Sequence, residues 1–482
     1  MTTHIPEAIT ASTRRLRPAS VRSRVPRWLA CAALAWGAFA FGAVYPWAYW
    51  PLAGVCVAAG IAGLLTRSRA EVLDGVAPVA IALGLVAAVV IVQLLPLPGG
   101  LLGAISPRAP ELLKELDARF AWQLVSVHGI SLDPAATTRA LALYVSFGLL
   151  MLGLTRSLSH GGAHRLVWMI TWLGIALALH GVVQKALFPD AVHGFWKPLM
   201  TGSPFGPFVN RNHFAGWMLM AIPLALGYFC AAFSRGMATV QPSVRDWLLW
   251  LSSPDASKAV QAGFAVILMG LALMLTLSRS GMLSLAVALI VCGYIAVRRQ
   301  RGALGRSMVF GCLTLSSLLI VLWAGVDAIV ARFAAVDTMA LGGRLPIWQS
   351  GVHMFEDFWL TGSGLNTYGV ATLFYPAAVP GYHLREAHND YLQLAVEGGV
   401  LLAVPVLAGA AALAFAVRQR FKATGADAYW IRLGAVAGIL AIAVQSLVEF
   451  SLQIPGNAAL FTTLCALALH RSAPAPSHQH LS

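Results

Sequence analysis

Apolar residues recur along the 482-residue chain in long runs, separated by short polar segments. Because an α-helix rises about 1.5 Å per residue, a run of about 20 apolar residues is long enough to cross a bilayer. The runs predict an all-α integral membrane protein with about twelve transmembrane helices. The predicted spans are 28–45, 48–66, 76–96, 139–155, 166–184, 212–233, 259–277, 280–297, 307–326, 390–417, 430–448 and 455–470.

Composition agrees with this pattern, because 58% of the residues are hydrophobic and only 11% are charged, unlike an ordinary soluble domain. The formal net charge is +14. If the N-terminus is cytoplasmic, most Lys and Arg residues fall on inside segments and most acids fall outside, as the positive-inside rule requires. The basic residues are therefore interpreted as topology signals beside membrane lipids, and no nucleic-acid partner is expected.

The spans divide the chain into a flexible basic cytoplasmic tail at 1–27, a polytopic membrane domain at 28–470 and a cytoplasmic C-terminal tail at 471–482. Two polar segments within the domain are long enough to carry a site. One is a first periplasmic segment at 97–138, and the other is a large periplasmic loop at 327–389. The alternation of the spans predicts that both segments lie on the same side of the membrane.

Both polar segments contain helix signals. Asp133 followed by Pro134 predicts a helix start in the first segment, because Asp is a favoured N-cap and Pro a favoured first helical residue. The large loop contains apolar residues at intervals of three and four, which predicts an amphipathic helix that lies along the membrane surface or packs on the bundle. This apolar stripe consists of Leu345, Trp348, Val352, Phe355 and Trp359.

Four stretches resemble, in order and spacing, the successive motifs of the O-antigen ligase and O-antigen polymerase superfamily. They are SPFGPFVNRNHFAGWMLMAIPLALG (203–227), LTLSRSGMLSL (275–285), GGRLPIWQSGVHMFEDFWLTGSGLNTYG (342–369) and AHNDYLQLAVEGG (387–399). The resemblance implies a glycosyltransferase of the bacterial inner membrane whose active site faces the periplasm. It also implies a donor glycan carried on undecaprenyl diphosphate.

Arg211, Arg279 and Arg344 lie within these motifs, and the resemblance implies that they bind the diphosphate. Bidentate guanidinium groups suit this task, because they stabilise the negative charge of a leaving diphosphate. Each arginine also has an ordinary explanation. The ordinary explanation of Arg211 is an anchor at the membrane interface. That of Arg279 is a short turn at the membrane surface, and that of Arg344 is an ion pair with Asp337.

His388 is the predicted catalytic group, because a neutral imidazole accepts a proton from an attacking sugar hydroxyl. The resemblance places the loop histidine of the family in the same His-Asn context. His383, five residues earlier, is the competing candidate. Asn210, Asn212 and Asn389 flank the motif residues and are predicted to support the site.

The predicted reaction is metal-independent, since the outer loops contain no Asp-x-Asp pair and no Gly-rich nucleotide loop. The resemblance also implies a single direct displacement, which would invert the configuration at the anomeric carbon. No cofactor and no metal are expected. The expected acceptor is a hydroxyl of lipid A-core, of a growing surface polysaccharide or of a protein. A protein O-oligosaccharyltransferase is therefore an alternative function. A secondary transporter or channel also stays open, because about twelve spans with both termini inside is a common transporter layout.

Overall fold

A computed structural model describes residues 24–66, 75–198, 203–237, 244–299, 344–375, 383–422 and 426–471. The predicted span at 307–326 and most of the two tails lie outside these residues, so the predicted domain boundaries stay predictions. Where the chain is described, it is helical apart from one ribbon in which Leu97 pairs with His128 and Pro98 with Val127. Nine of the described helices are long and apolar enough to span a membrane, which confirms the all-α integral membrane fold.

The N-terminal half contains five long or intermediate helices, with short elements between the third and the fourth of them. In chain order the elements are α1 (Val25–Phe39), α2 (Pro46–Leu64), α3 (Ala77–Leu94), β1 (Leu97–Pro98), α4 (Gly99–Ile105), α5 (Ala109–Leu116), α6 (Ala118–Ala121), β2 (Val127–His128), α7 (Pro134–Ser157) and α8 (His160–Leu187). The predicted helix start is confirmed, because the Asp133 side chain accepts a hydrogen bond from the backbone N–H of Ala136 at 2.9 Å.

The C-terminal half contains the helices that carry the resemblance motifs. They are α9 (Arg211–Met237), α10 (Val244–Leu251), α11 (Pro254–Leu275), α12 (Arg279–Arg299), α13 (Arg344–Asp357), α14 (Tyr368–Ala371), α15 (Asp390–Lys422), α16 (Ala426–Gln445) and α17 (Pro455–Leu469). Short 3₁₀ turns occur at Phe41–Ala43, Thr372–Phe374 and Ser451–Gln453. The predicted break between 277 and 280 is observed, with Leu277 at φ 54° between α11 and α12.

Helix α9 lies at the centre of the bundle, and 89% of the residues in its most apolar stretch are buried inside the protein. Its contact with α16 depends on glycine, because a Cβ at Gly227 would lie 2.4 Å from the Trp430 carbonyl oxygen. Helices α2 and α7 approach each other in the same way, since a Cβ at Gly63 would lie 2.3 Å from the carbonyl oxygen of Gly153. Small residues allow such close backbone packing between membrane helices.

The predicted amphipathic helix is α13. Its buried residues include Ile347, Gly351 and Met354, whereas Leu345 and Val352 of the apolar stripe are about half exposed. A Cβ at Gly351 would lie 2.8 Å from a methyl group of Leu392, so this glycine allows close packing of α13 on α15. Only part of the apolar stripe therefore contacts the described part of the protein.

Candidate functional site

The turn between α16 and α17 places a buried carboxylate at one end of the bundle. Glu449 is only 1% exposed, and its Oε1 atom accepts two hydrogen bonds. One comes from Nδ2 of Asn212, in the first turn of α9, at 2.8 Å. The other comes from Nη2 of Arg344, the first residue of α13, at 2.5 Å. Glu449 therefore joins three elements that are distant in sequence. We call the end of the bundle that contains Glu449 the site end.

His388 lies beside the second oxygen of this carboxylate, with 3.5 Å between its Nδ1 atom and Oε2 of Glu449. Its ring also packs edge-on against Phe450, with 4.9 Å between the ring centroids. The backbone of His388 has φ 49°, in the left-handed region that residues other than glycine seldom adopt. Such strained conformations persist where the surroundings enforce them, and they cluster at functional sites.

Neighbouring residues enforce the position of His388. Nε1 of Trp348, on α13, donates to the carbonyl oxygen of Ala387 at 3.0 Å, and the backbone N–H of Ala387 donates to Oε1 of Gln393 at 2.9 Å. On the other side, Oδ1 of Asn389 accepts from the backbone N–H groups of Tyr391 and Leu392, each at 3.0 Å. Asn389 therefore caps α15, and His388 is held between two fixed residues.

The competing histidine makes a different contact. Nε2 of His383 lies 2.6 Å from the carbonyl oxygen of Gly369, and the side chain is exposed. Glu386, between the two histidines, is half-buried, and burial raises its pKa. Coulombic interactions with His388, Arg385 and His383 act in the opposite direction on that pKa.

Arg211 and Arg279 are the first residues of α9 and α12. The backbone N–H of Arg211 donates to the carbonyl oxygen of Ser203 at 2.8 Å. A Cβ at Gly281, in the first turn of α12, would lie 2.9 Å from Cβ of Ala215 in α9. The first turns of the two helices therefore lie side by side, and both arginines begin helices at the site end.

Asn210 and Asn212, the two predicted supporting asparagines at the start of α9, are also at the site. The Asn210 side chain accepts a hydrogen bond from the backbone N–H of Asn212 at 2.8 Å, which fixes the residue that donates to Glu449. The structure thus brings Asn210, Asn212, Arg344, His388 and Asn389 into one cluster. The catalytic and diphosphate-binding roles of the cluster stay predictions.

The glycine-containing turn after α13 binds a carboxylate of the chain itself. Oε2 of Glu397 accepts from the backbone N–H of Asn366 at 2.7 Å, and Oε1 accepts from that of Tyr368 at 3.1 Å. Gly362 and Gly364 in this turn have positive φ angles, which glycine adopts without strain. Glu397 is buried, so we interpret it as the group that fixes this turn onto α15.

Sequence reasoning did not assign Glu449 or Phe450 to the site. The signal for Glu449 was a single acid close to a late apolar run, and acids in such places usually have a function. The signal for Phe450 is geometric, since its ring packs edge-on against both His388 and His213, with 4.7 Å to the latter. Only the fold reveals that contact.

Fold and site together define a polytopic membrane protein with a histidine, a buried carboxylate and arginines at one end of a helical bundle. Residues 264–407 match the family model described as O-antigen ligase. The match confirms the predicted resemblance to the O-antigen ligase and polymerase superfamily over this part of the chain. Arg279, Arg344 and His388 lie within the matched residues. No curated protein matches the chain.

Proposed function

We propose that the protein transfers a glycan from undecaprenyl diphosphate to a hydroxyl acceptor during assembly of a surface polysaccharide. The observation that carries this proposal is the contact between His388 and the buried Glu449 carboxylate, 3.5 Å apart, beside Arg344 and Asn212. A histidine oriented by a carboxylate is suited to general-base catalysis. The family match supports the choice of a glycan as the transferred group.

The geometry assigns different tasks to the two nitrogens of His388. Nδ1 is directed towards Glu449, so Nε2 is the atom that takes the proton of the acceptor hydroxyl. As that proton leaves, the acceptor oxygen forms a bond to the anomeric carbon, and the bond from this carbon to the diphosphate oxygen breaks. Glu449 then stabilises the imidazolium that results. A single displacement of this kind inverts the configuration at the anomeric carbon.

The leaving diphosphate needs positive charge on the other side of the anomeric carbon. Arg211 and Arg279 begin two adjacent helices, and helix N-termini carry partial positive charge and orphan N–H groups that favour phosphate. We assign both arginines to the diphosphate. Arg344 has a second task in this scheme, because its hydrogen bond to Glu449 also fixes the carboxylate that orients His388.

We infer that the site end faces the periplasm and that the membrane is the bacterial inner membrane. The opposite end of the bundle contains the basic last turns of α12 and α15, with Arg298, Arg299, Arg420 and Lys422. Basic residues favour the cytoplasmic side. A reporter fused after residue 303 should therefore report the cytoplasm, and one inserted near 378 should report the periplasm; the same side for both would contradict this orientation.

The decisive experiment on function supplies purified protein with an undecaprenyl-diphosphate glycan and three acceptors in parallel. These are lipid A-core, a second lipid-linked glycan and a serine-containing peptide. We expect a new glycosidic product with one of the two carbohydrate acceptors, formed with inverted configuration. No product with any acceptor would overturn the proposal, and product on the peptide alone would identify a protein O-oligosaccharyltransferase.

The same assay tests the metal-independent mechanism. Among the residues that the structure describes, no three His, Cys, Asp or Glu side chains are grouped as ligands for a metal ion. We expect full turnover after exhaustive EDTA treatment of protein and donor. A loss that one divalent cation restores would contradict the mechanism, because such rescue indicates a metal in the reaction.

A further inference from the structure

Five aromatic side chains line a groove of about 390 Å³ on the N-terminal side of the bundle. We call it the aromatic groove, and its residues are Phe41, Tyr45, Trp47, Phe195 and Trp196. The first three belong to the connection between α1 and α2 and to the start of α2, and the other two belong to the segment after α8. Trp47 is 55% exposed and Phe195 is 76% exposed, so two large rings are open to a ligand.

The rings of the aromatic groove support one another. Phe41 packs edge-on against Trp196 at 5.3 Å and against Trp47 at 5.8 Å, and the rings of Tyr45 and Trp47 are nearly parallel. His193 fixes the groove from beside Phe41, with 5.1 Å between the ring centroids. The rings therefore form one concave surface, unlike isolated interfacial aromatics on a helix.

Backbone strain is concentrated in the two segments that form the aromatic groove. Phe41 and Ala43 have φ angles of 59° and 57°, and His193 has φ 53°. In the described part of the chain only seven residues other than glycine have positive φ, and His388 is another of them. Strain of this kind is retained where a functional arrangement requires it. The groove thus shares with the catalytic residue a feature that simple lipid contact does not require.

The connection between α1 and α2, which forms part of the aromatic groove, packs against residues next to the candidate site. A Cβ at Gly42 would lie 2.9 Å from the Phe208 ring and 3.1 Å from Ile454. Phe208 precedes Asn210 by two residues, and Ile454 ends the turn that contains Glu449. Helix α1, which leads into the groove, packs on α2, α7, α8 and α17. Helix α12, which begins at Arg279, packs on a different set, namely α9, α11 and α16. The groove and Arg279 therefore lie on different sides of the bundle.

We propose that the aromatic groove binds a pyranose ring of the acceptor glycan. This inference rests on the proposed function and makes it more specific, because it identifies the acceptor as a carbohydrate. The apolar C–H face of a pyranose stacks on an aromatic ring, and large rigid aromatic side chains provide such a surface. In an in-line displacement the acceptor approaches from the side opposite the leaving diphosphate. Of the two arginines that we assign to the diphosphate, Arg279 lies on the side of the bundle that is away from the groove.

The test measures binding of one probe without any donor or turnover. Delipidated lipopolysaccharide core oligosaccharide is dialysed to equilibrium against the full-length protein in nanodiscs. We expect Trp47→Ala to bind this probe about tenfold more weakly than the wild type, which corresponds to the loss of one aromatic stack. Trp50→Ala is the matched control, because Trp50 is also on α2 and 47% exposed but does not line the groove. It should bind like the wild type.

Turnover gives an independent measurement on the same preparations. Trp47→Ala should raise the KM for a carbohydrate acceptor about tenfold and leave the KM for the lipid-linked donor unchanged. Equal losses in Trp47→Ala and Trp50→Ala would indicate membrane anchoring and overturn the inference. No binding of the probe by the wild type, or an effect confined to the donor, would also overturn it. Because dialysis needs no catalysis, its outcome is separate from failure of the proposed transfer reaction.

Discussion

The two ends of the bundle each bury a charged side chain, but the two side chains differ in how completely they are hydrogen-bonded. At the end opposite the site, Arg432 is 1% exposed, and three of its nitrogens donate to backbone carbonyls. These are the carbonyls of Ala468 at 2.9 Å, Arg420 at 3.0 Å and His470 at 2.7 Å. They lie at the C-terminal ends of α15 and α17, where partial negative charge favours a cation.

Glu449, at the site end, is equally buried but is less completely satisfied. Its Oε1 accepts two hydrogen bonds, whereas Oε2 makes none to the described residues and lies 3.5 Å from His388. The nearby His213 also buries an Nε2 atom with no hydrogen bond within the described part of the protein. A buried polar atom without a hydrogen-bond partner calls for an explanation, and a catalytic role is one such explanation. The comparison therefore predicts that Arg432 is structural and that Glu449 serves the reaction.

The largest expected effect is at His388, to which we assign the proton transfer. His388→Ala should lower turnover about 10²- to 10⁴-fold, because a positioned general base contributes that much to a rate. The matched control is His383→Ala, since His383 contacts the Gly369 carbonyl and not Glu449. Turnover should be measured on equal amounts of folded protein. Losses of equal size in the two variants would remove the distinction between the histidines.

Arg211→Ala and Arg279→Ala should each lower turnover about 10²- to 10³-fold, as expected when one stabilising group is removed from a developing negative charge. Lysine at either position should restore little, because it lacks the planar fork of arginine. The measurement is transfer from an undecaprenyl-diphosphate glycan at saturating acceptor. Full activity in Arg279→Lys would show that positive charge alone is sufficient there.

Glu449→Gln should lower kcat about 10- to 100-fold, which corresponds to the loss of a hydrogen bond to a charged group. The glutamine keeps the volume and one acceptor oxygen for Asn212 and Arg344 but cannot stabilise an imidazolium. The KM for the donor should change little, because Glu449 is assigned no contact with it. A variant with normal kcat and a lowered melting temperature would make Glu449 a structural residue like Arg432.

Arg432→Met tests the other half of the comparison. It should lower the free energy of unfolding by about 1–3 kcal/mol, because buried carbonyls lose their donors. Turnover per folded molecule should stay at the wild-type level. Thermal unfolding in detergent and an activity assay on the same sample check both statements. Reduced turnover in a sample that is fully folded would contradict the division between the two ends.

Much of the fold is predictable from the sequence, because hydrocarbon imposes a simple rule on helix length. The spans predicted at 139–155 and 212–233, for example, lie within α7 and α9. The apolar stripe of α13 did not identify Gly351 as a packing position, because its close approach to Leu392 depends on the absence of a side chain. Hydrophobic periodicity reports which residues are apolar, but it does not report which partner allows the closest approach.

The site was predictable only where a motif carries it. The resemblance to the superfamily gave His388, Asn212 and Arg344, which the fold brings around one carboxylate. Glu449 lies outside those motifs, and its contacts join positions more than 100 residues apart in two of three cases. Such contacts depend on how helices pack, so the sequence alone could identify Glu449 only as an unusual acid near an apolar run.

The central claim is that the site divides donor binding from proton transfer, and one paired measurement tests it most directly. Binding of an undecaprenyl-diphosphate glycan and formation of product are measured on the same folded preparations of wild type, His388→Ala and Arg279→Ala. We predict that His388→Ala binds the donor like the wild type but forms almost no product, and that Arg279→Ala loses donor binding. Loss of donor binding in His388→Ala, or near-normal product formation by that variant, would contradict the claim.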